Sequence, residues 1–489
     1  MANYTAAHSF EIIPGISFAL SNATDFQDIF PWTKYPEACA HIAEHNEKAP
    51  TRIAFADENV ELRYDVWGYQ VQPRLRSCAL TKLLLDESTQ SDYDDPSLFH
   101  SGTGSQIRLP PGRTAEDVVS AYLKGLYKMF KKETSRIFSC MGAEELPIEF
   151  WLTVPASWSE RAKLLTKRAA YRAGFGTRPT DRVMLISEPE AAAHYALKSG
   201  IHRLRKFVQP NTGIMVCDCG GGTVDITTYE VTQTEPTVKL REIIVGIAGK
   251  CGSTYIDRNF HKLLAERFGK AFTSLGADDI GPGSDLMDNF ERFKKDFSGT
   301  PPSSSLPQML RLRMPLLEET PELKEFYDMR TSSILLTHDD MNRLFRPAIA
   351  ATLKLIQDQV SRAEKITGPS IDTIVLVGGF ASSPYLRDSV FEWCAKRKIN
   401  LTTPMSGAWS AVVRGAVLRG LEGCIVRERK CRRHYGCTVS LPYIPQLHGR
   451  YRTETRRVWR DPFKKADYLN GFMDWQISKA SLSPRTLTN

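Results

Sequence analysis

Cys217–Tyr229, read C-D-C-G-G-G-T-V-D-I-T-T-Y, holds the densest group of residues able to handle phosphate. Gly220, Gly221 and Gly222 let the backbone approach a ligand that any Cβ would push away. Their N–H groups can converge as an anion nest. Asp218 at the rim can hold a metal-bound water, and the Thr223 hydroxyl can donate to a phosphate oxygen. A second acid, Glu188, precedes Pro189, which sits at a first helical position. A carboxylate at a strand end beside a helix start can act on a water or a hydrated Mg²⁺. Alone, it reads equally as an acid that favours the helix dipole. Gly378 and Gly379 end an apolar run, where doubly wound sheets place ligands, and two glycines let a flat purine lie on the backbone. Gly252 and Ser253 precede a helix. They read as a further anion seat or as a glycine turn with a serine cap.

These residues need particular elements beneath them. Ile214 and Val216 before the glycines, and Val224, Ile226 and Thr228 after them, alternate with neighbours of the other kind; this predicts strand, glycine turn, strand. A dinucleotide fingerprint is excluded, because that motif opens a helix and this run opens a strand. Val183–Ile186 predicts a buried strand that delivers Glu188. Phe150–Pro155 predicts a strand ended by proline, and Ser159 then caps a helix that Gly174 stops. Thr114–Asp117 starts a buried helix with Val118, Tyr122, Leu123 and Leu126 at helical spacing. Thr337 caps a long helix that Gly368-Pro369 ends. The wholly apolar Ile374–Val377 fits the inside of a parallel sheet. Residues 85–113 and 299–333 predict surface loops.

At 489 residues the chain is too long for one core, and 42% hydrophobic with 25% charged residues is an ordinary globular composition. No apolar run approaches membrane-spanning length, and no secretion signal is read at the N-terminus. Ten cysteines in a chain of this size form no disulfide framework, and a reducing cytoplasm is expected. The net charge of +8 is concentrated: residues 425–465 carry twelve Lys/Arg against three acids. Tyr451 and Trp459 stand among them, yet basic edge strands in solvent are the commoner use, so nucleic acid is not the expected partner. Cys424, Cys431, His434 and Cys437 have loose metal-like spacing but no paired C-x-x-C, which speaks against zinc.

Three runs, in order, resemble the heat-shock seventy-kilodalton family of the actin-like ATPase superfamily. Asp218–Asp225 looks like its second phosphate loop. Ile186–Ala193 looks like the first connecting helix, and Val375–Ala381 like the adenosine loop. The likeness covers about residues 115–424, in the manner of a divergent branch without the usual peptide-binding domain. It implies a two-lobed α/β actin-like (ribonuclease H-like) fold, with lobe I over 1–210, lobe II over 211–424, and a basic extension over 425–489. It implies ATP and Mg²⁺ in the cleft, with Glu188 and Asp218 as catalytic carboxylates and Asp218 at the metal. Gly220, Gly221, Gly222, Thr223, Gly252 and Ser253 would lie at the phosphates, Glu291 with Lys294 or Lys295 at ribose and base, and Gly378 and Gly379 at adenosine. It further implies a client or co-chaperone partner, and a signal relayed through Pro155 and either Arg161 or Lys163.

The sequence departs from that family in four places. No D-x-G-T-T precedes Ile16, so the first phosphate hairpin looks cut out. The position expected to hold a phosphate-reaching lysine falls near the neutral Gln72. The adenine-stacking arginine falls near Ser382, and Trp409-Ser410 replaces the acid before the second connecting helix. Two readings follow: an ATPase with a chaperone-type role, or a nucleotide-sensing pseudoenzyme or interaction module. A sugar or acetate kinase of the same superfamily would need a catalytic base in lobe I that the sequence does not offer.

Overall fold

The computed structural model describes residues 4–9, 15–20, 23, 26–38, 47–86, 108–137, 147–204, 207–301, 307–366, 368–404, 408–451 and 457–484. Lobe I is built on a five-stranded sheet of β1 (Tyr4–Ser9), β2 (Gly15–Leu20), β3 (Phe30–Pro31), β4 (Ile148–Val154) and β5 (Arg182–Ser187), in the order β3-β2-β1-β4-β5. The first three strands are antiparallel neighbours, and β1, β4 and β5 are parallel. A strand therefore does stand before Ile16, and β1 pairs with β2 from Tyr4↔Leu20 to Ser9↔Gly15. The residues between them, 10–14, lie outside the described residues.

Lobe II repeats the plan. Its strands are β6 (Gly213–Cys219), β7 (Val224–Gln233), β8 (Lys239–Gly249), β9 (Ile371–Val377) and β10 (Asn400–Thr402), in the order β10-β9-β6-β7-β8. Again β6, β7 and β8 are antiparallel neighbours, and β6, β9 and β10 are parallel. Every residue of β6 is buried, as a central strand covered on both faces requires. The sheet continues past residue 424: β11 (Val426–Lys430) lies parallel to β8, and β12 (Leu482–Pro484) pairs with β11. Between them, residues 435–442, 458–460 and 467–477 form a separate three-stranded antiparallel sheet.

Helices cover these sheets. In lobe I, α1 (Ala115–Ile137) and α2 (Glu160–Ala173) pack on a core of Leu123, Leu126, Phe150 and Phe175. The capping box expected at Thr114 is present: Asp117 accepts from the Thr114 amide, and the Thr114 hydroxyl accepts from Asp117 N–H. The α3 helix (Glu188–Leu204) follows β5. In lobe II come α4 (Thr254–Phe268), α5 (Asp285–Asp296), α6 (His338–Glu364), α7 (Pro384–Ala395) and α8 (Ala411–Glu422). A complete capping box at Thr337–Asp340 starts α6.

The lobes are joined where α3 and α8 cross. Ala191, Ala192 and Ala193 are fully buried there with Val412, Val413 and Ala416. Small residues let the axes come close, and a Cβ on Gly415 would stand 1.7 Å from the Ala191 carbonyl oxygen. Glu422, on the last turn of α8, receives His194 Nε2 at 3.1 Å and Lys198 Nζ at 2.7 Å from α3. On the outer side of the cleft, Arg52 of lobe I donates to the Pro282 carbonyl at 2.8 Å, and Arg414 of α8 reaches Glu47 at 3.3 Å. Among the described residues, no helix is long and apolar enough to cross a membrane.

Candidate phosphate cleft

The Cys219–Val224 pair closes the β6–β7 hairpin, and the glycines form its tip. Three neighbouring amides fix the direction in which that tip faces. Gly252 N–H donates to the Gly222 carbonyl at 3.3 Å, Ser253 N–H to Gly220 at 3.2 Å, and Thr254 N–H to Gly221 at 3.0 Å. The Thr254 hydroxyl also donates to Gly221, at 3.0 Å. The carbonyls of the turn are thereby tied to the start of α4, and the Gly220 amide closes the turn on the Thr223 carbonyl at 2.9 Å. The anion-seat reading of Gly252 and Ser253 is thereby corrected: their N–H groups are spent buttressing the loop. Gly252 must be glycine for this, because a Cβ would lie 2.4 Å from the Gly221 oxygen and 2.6 Å from the Gly220 oxygen.

Beside the tip lies a cleft lined by Thr51, Lys82, Pro155, Glu188, Asp218 and the glycine turn to Thr223. Glu188 and Asp218 thus reach one space from different lobes, and both are buried. Glu188 is the first residue of α3, where β5 ends, as its Pro189 signal predicts.

Lys82 was not among the expected residues. It stands on a 3₁₀ turn, Thr81–Leu84, and its ammonium ion-pairs with Glu188 while lying 5.6 Å from the Trp158 ring centroid. The neutral site near Gln72 is therefore not where the cleft takes its cation. The signal was a lysine in the leucine-rich run Ala79–Leu85, whose only other polar residue is Thr81, a place where a charge costs free energy unless it is paired. Asp225 was also passed over except as a flank of the glycines. It stands directly opposite Asp218 in the hairpin register, so both side chains share one face. Burial pushes its carboxyl up, against the Thr223 hydroxyl and the Lys82 charge.

On the adenosine side the set divides. Lys294 is buried and held by Asp257 at 2.7 Å and by Glu291, so it is a core ion pair. Lys295 also pairs with Glu291, at 3.6 Å, and its ammonium lies 5.9 Å from the Trp409 ring centroid. Gly378 has φ +94°, and a Cβ there would meet the Cys219 oxygen at 2.4 Å and Asp218 Oδ1 at 2.6 Å. That glycine lets β9 close against the carboxylate strand. Gly379 faces the indole of Trp409: a Cβ on it would lie 2.8 Å from Cζ3 and 2.9 Å from Cε3.

Pro155 lines the cleft, while Lys163 pairs along its own helix with Glu160 at 2.7 Å. The donor set suits a hydrated magnesium ion. Among the described residues no three carboxylate, imidazole or thiol groups come together as a direct metal cage. Mg²⁺ keeps most of its waters and takes its remaining ligands from phosphate. Glu188, Asp218 and Asp225 would hold those waters, and the ion would neutralise phosphate charge and align the terminal phosphoryl group.

A family model described as Hsp70 protein matches residues 148–426, from the first residue of β4 to the first of β11. Human heat shock 70 kDa protein 12A is 23% identical over 523 residues, covering 91% of this chain and 75% of that protein. Human heat shock 70 kDa protein 12B is 26% identical, with 90% and 73% covered. The chaperone protein DnaK of Thermosipho melanesiensis is 28% identical over 323 residues, covering 66% of this chain and 48% of that one.

Proposed function

The chain belongs to the Hsp70 family, and from that premise we propose that it binds a nucleoside triphosphate with Mg²⁺ in the cleft between its lobes and couples occupancy to lobe closure. The observation that carries this is the convergence of Lys82, Glu188, Asp218 and the glycine turn on one space. Backbone N–H groups and one ammonium would neutralise the phosphate chain, while Glu188 would orient a water toward the terminal phosphorus. Lys82 removes the objection raised by the neutral Gln72: a cation is at hand for the charge that develops on the transferred group. Closure would pull on α3 and α8, which cross at Ala191 and Gly415, and Pro155 would feel the phosphates directly. A client or co-chaperone would read that movement, in a cytoplasmic setting and in a chaperone-type role.

A second reading, a nucleotide sensor without hydrolysis, is favoured by one observation. The hairpin of lobe I joins its strands through Phe10-Glu11-Ile12-Ile13-Pro14, a segment without glycine or threonine for phosphate. Calorimetric titration with Mg-ATP tests the shared claim, and a dissociation constant weaker than about 1 mM overturns it. Single-turnover hydrolysis by the wild type and by Glu188→Ala then separates the two readings. An ATPase loses turnover in the variant; a sensor shows background rates in both.

A further inference from the structure

Trp409 stands on the part of the cleft that a purine would need. Its benzo edge rests on Gly379, the second of two glycines at the carboxyl end of β9. The indole is fastened there from several directions. The Gly378 amide donates to the Ala408 carbonyl at 3.1 Å, which ties the main chain just before the tryptophan to the glycine pair. Lys48 of lobe I is buried with its ammonium 4.5 Å from the ring centroid, and Lys295 of α5 approaches at 5.9 Å. Ser410, the next residue, is buried and accepts from Arg414 Nε at 3.0 Å, and the same Arg414 reaches Glu47, the neighbour of Lys48. Cations from both lobes thus hold one aromatic ring by its π system.

We propose that Trp409 is the specificity-determining residue of this cleft: it occupies the base seat, so the site grips the polyphosphate chain and its Mg²⁺ without selecting the base. This rests on the phosphate-cleft reading above and deepens it. Glycine at 379 makes room for the ring of this chain in place of a ligand's ring. Phosphate recognition is left to amides, Lys82 and carboxylates, which see only charge and oxygen geometry. Ser382, which bonds back to the Gly379 carbonyl through its amide at 3.2 Å, offers no flat surface for a base on the other side.

The test compares Mg-tripolyphosphate, Mg-ATP and Mg-GTP by calorimetry on the full chain. The expected result is three dissociation constants within about threefold of one another. In Trp409→Gly, Mg-ATP affinity should rise by about tenfold or more while Mg-tripolyphosphate stays unchanged. Wild-type binding of Mg-ATP tenfold or more tighter than Mg-tripolyphosphate overturns the proposal, and needs no variant to fold. Weaker or unmoved Mg-ATP binding by a folded Trp409→Gly overturns it as well. If wild type binds neither ATP nor tripolyphosphate, the phosphate-cleft reading itself fails and this inference with it. If tripolyphosphate binds and ATP binds far better, only the inference fails.

Discussion

Tyr4–Ser9 with Gly15–Leu20 in one lobe, and Gly213–Cys219 with Val224–Gln233 in the other, are the same hairpin in the same place in a sheet of order 3-2-1-4-5. Their connecting residues share no chemistry. Lobe II joins its strands with three glycines and a threonine between aspartates, lobe I with an apolar segment and one acid. Strand pairing in the two hairpins needs little beyond backbone groups, which both segments supply. Holding phosphate needs amides presented at short range, which only a glycine-rich tip permits. The comparison teaches that one strand scaffold accepts connections of quite different chemistry. The lobe I cation for the cleft then comes from elsewhere, the turn that bears Lys82.

The sharpest way to break this comparison is at Lys82. Lys82→Ala leaves Glu188 buried without its ion-pair partner, and should cost about 3–5 kcal/mol of unfolding free energy by denaturant titration. Adding Glu188→Gln should restore most of that stability while leaving turnover lost. If the single variant is as stable as wild type, lobe I has not moved its charge to this turn. Next comes the shared hinge: Gly415→Ala drives a Cβ into the Ala191 carbonyl, and overpacking of this kind costs about 1–3 kcal/mol or more. Its signature is a lowered denaturation midpoint with the lobes forced apart in solution scattering. Gly252→Ala should weaken Mg-ATP or Mg-tripolyphosphate binding by about tenfold or more, since it prises the lobe II tip from the amides that aim it. Glu11→Gln in the lobe I connection should change the same constant by less than about twofold; a larger loss would put a phosphate contact back in that hairpin.

The smallest effect is a pH dependence of the hinge. The His194 hydrogen bond holds Glu422 down to about 2 against its partial burial, with Lys198 helping. A carboxylate depressed on folding stabilises the folded chain fully above its ordinary value of 4.5, and that contribution is lost as pH falls from 4.5 toward 2. Glu422→Gln should therefore cost about 1 kcal/mol near pH 6 and flatten the fall in stability below pH 4.5. An unchanged acid limb would assign that limb to other carboxylates.

The candidate residues singled out in the sequence have signals that are local. A glycine run between alternating strands, Glu188 before Pro189, and Gly378-Gly379 after an apolar strand each state their geometry within a few residues. What was missed lies in relations across the chain. Lys82 meets Glu188 across 106 residues, and no periodicity links them. Gly252 and Ser253 look like a seat for an anion until their amides are seen donating to Gly222 and Gly220. Trp409 reads as the loss of an acid, and only the structure brings it against Gly379 and Lys48. The strand before Ile16 went unread because Tyr4–Ser9 carries a weak pattern, and pairing with β4 compensates for it.

Arg429 carries a last consequence. It lies beyond residue 426, where the family match stops, yet it neutralises Glu190, which is 1% exposed and two positions along the helix from Glu188. Arg432 does the same for buried Glu242 at 3.2 Å, and the Lys430 main-chain N–H donates to that carboxylate at 2.7 Å. A chain clipped at the end of the matched region would keep every phosphate-facing group and still strand two carboxylates in its interior.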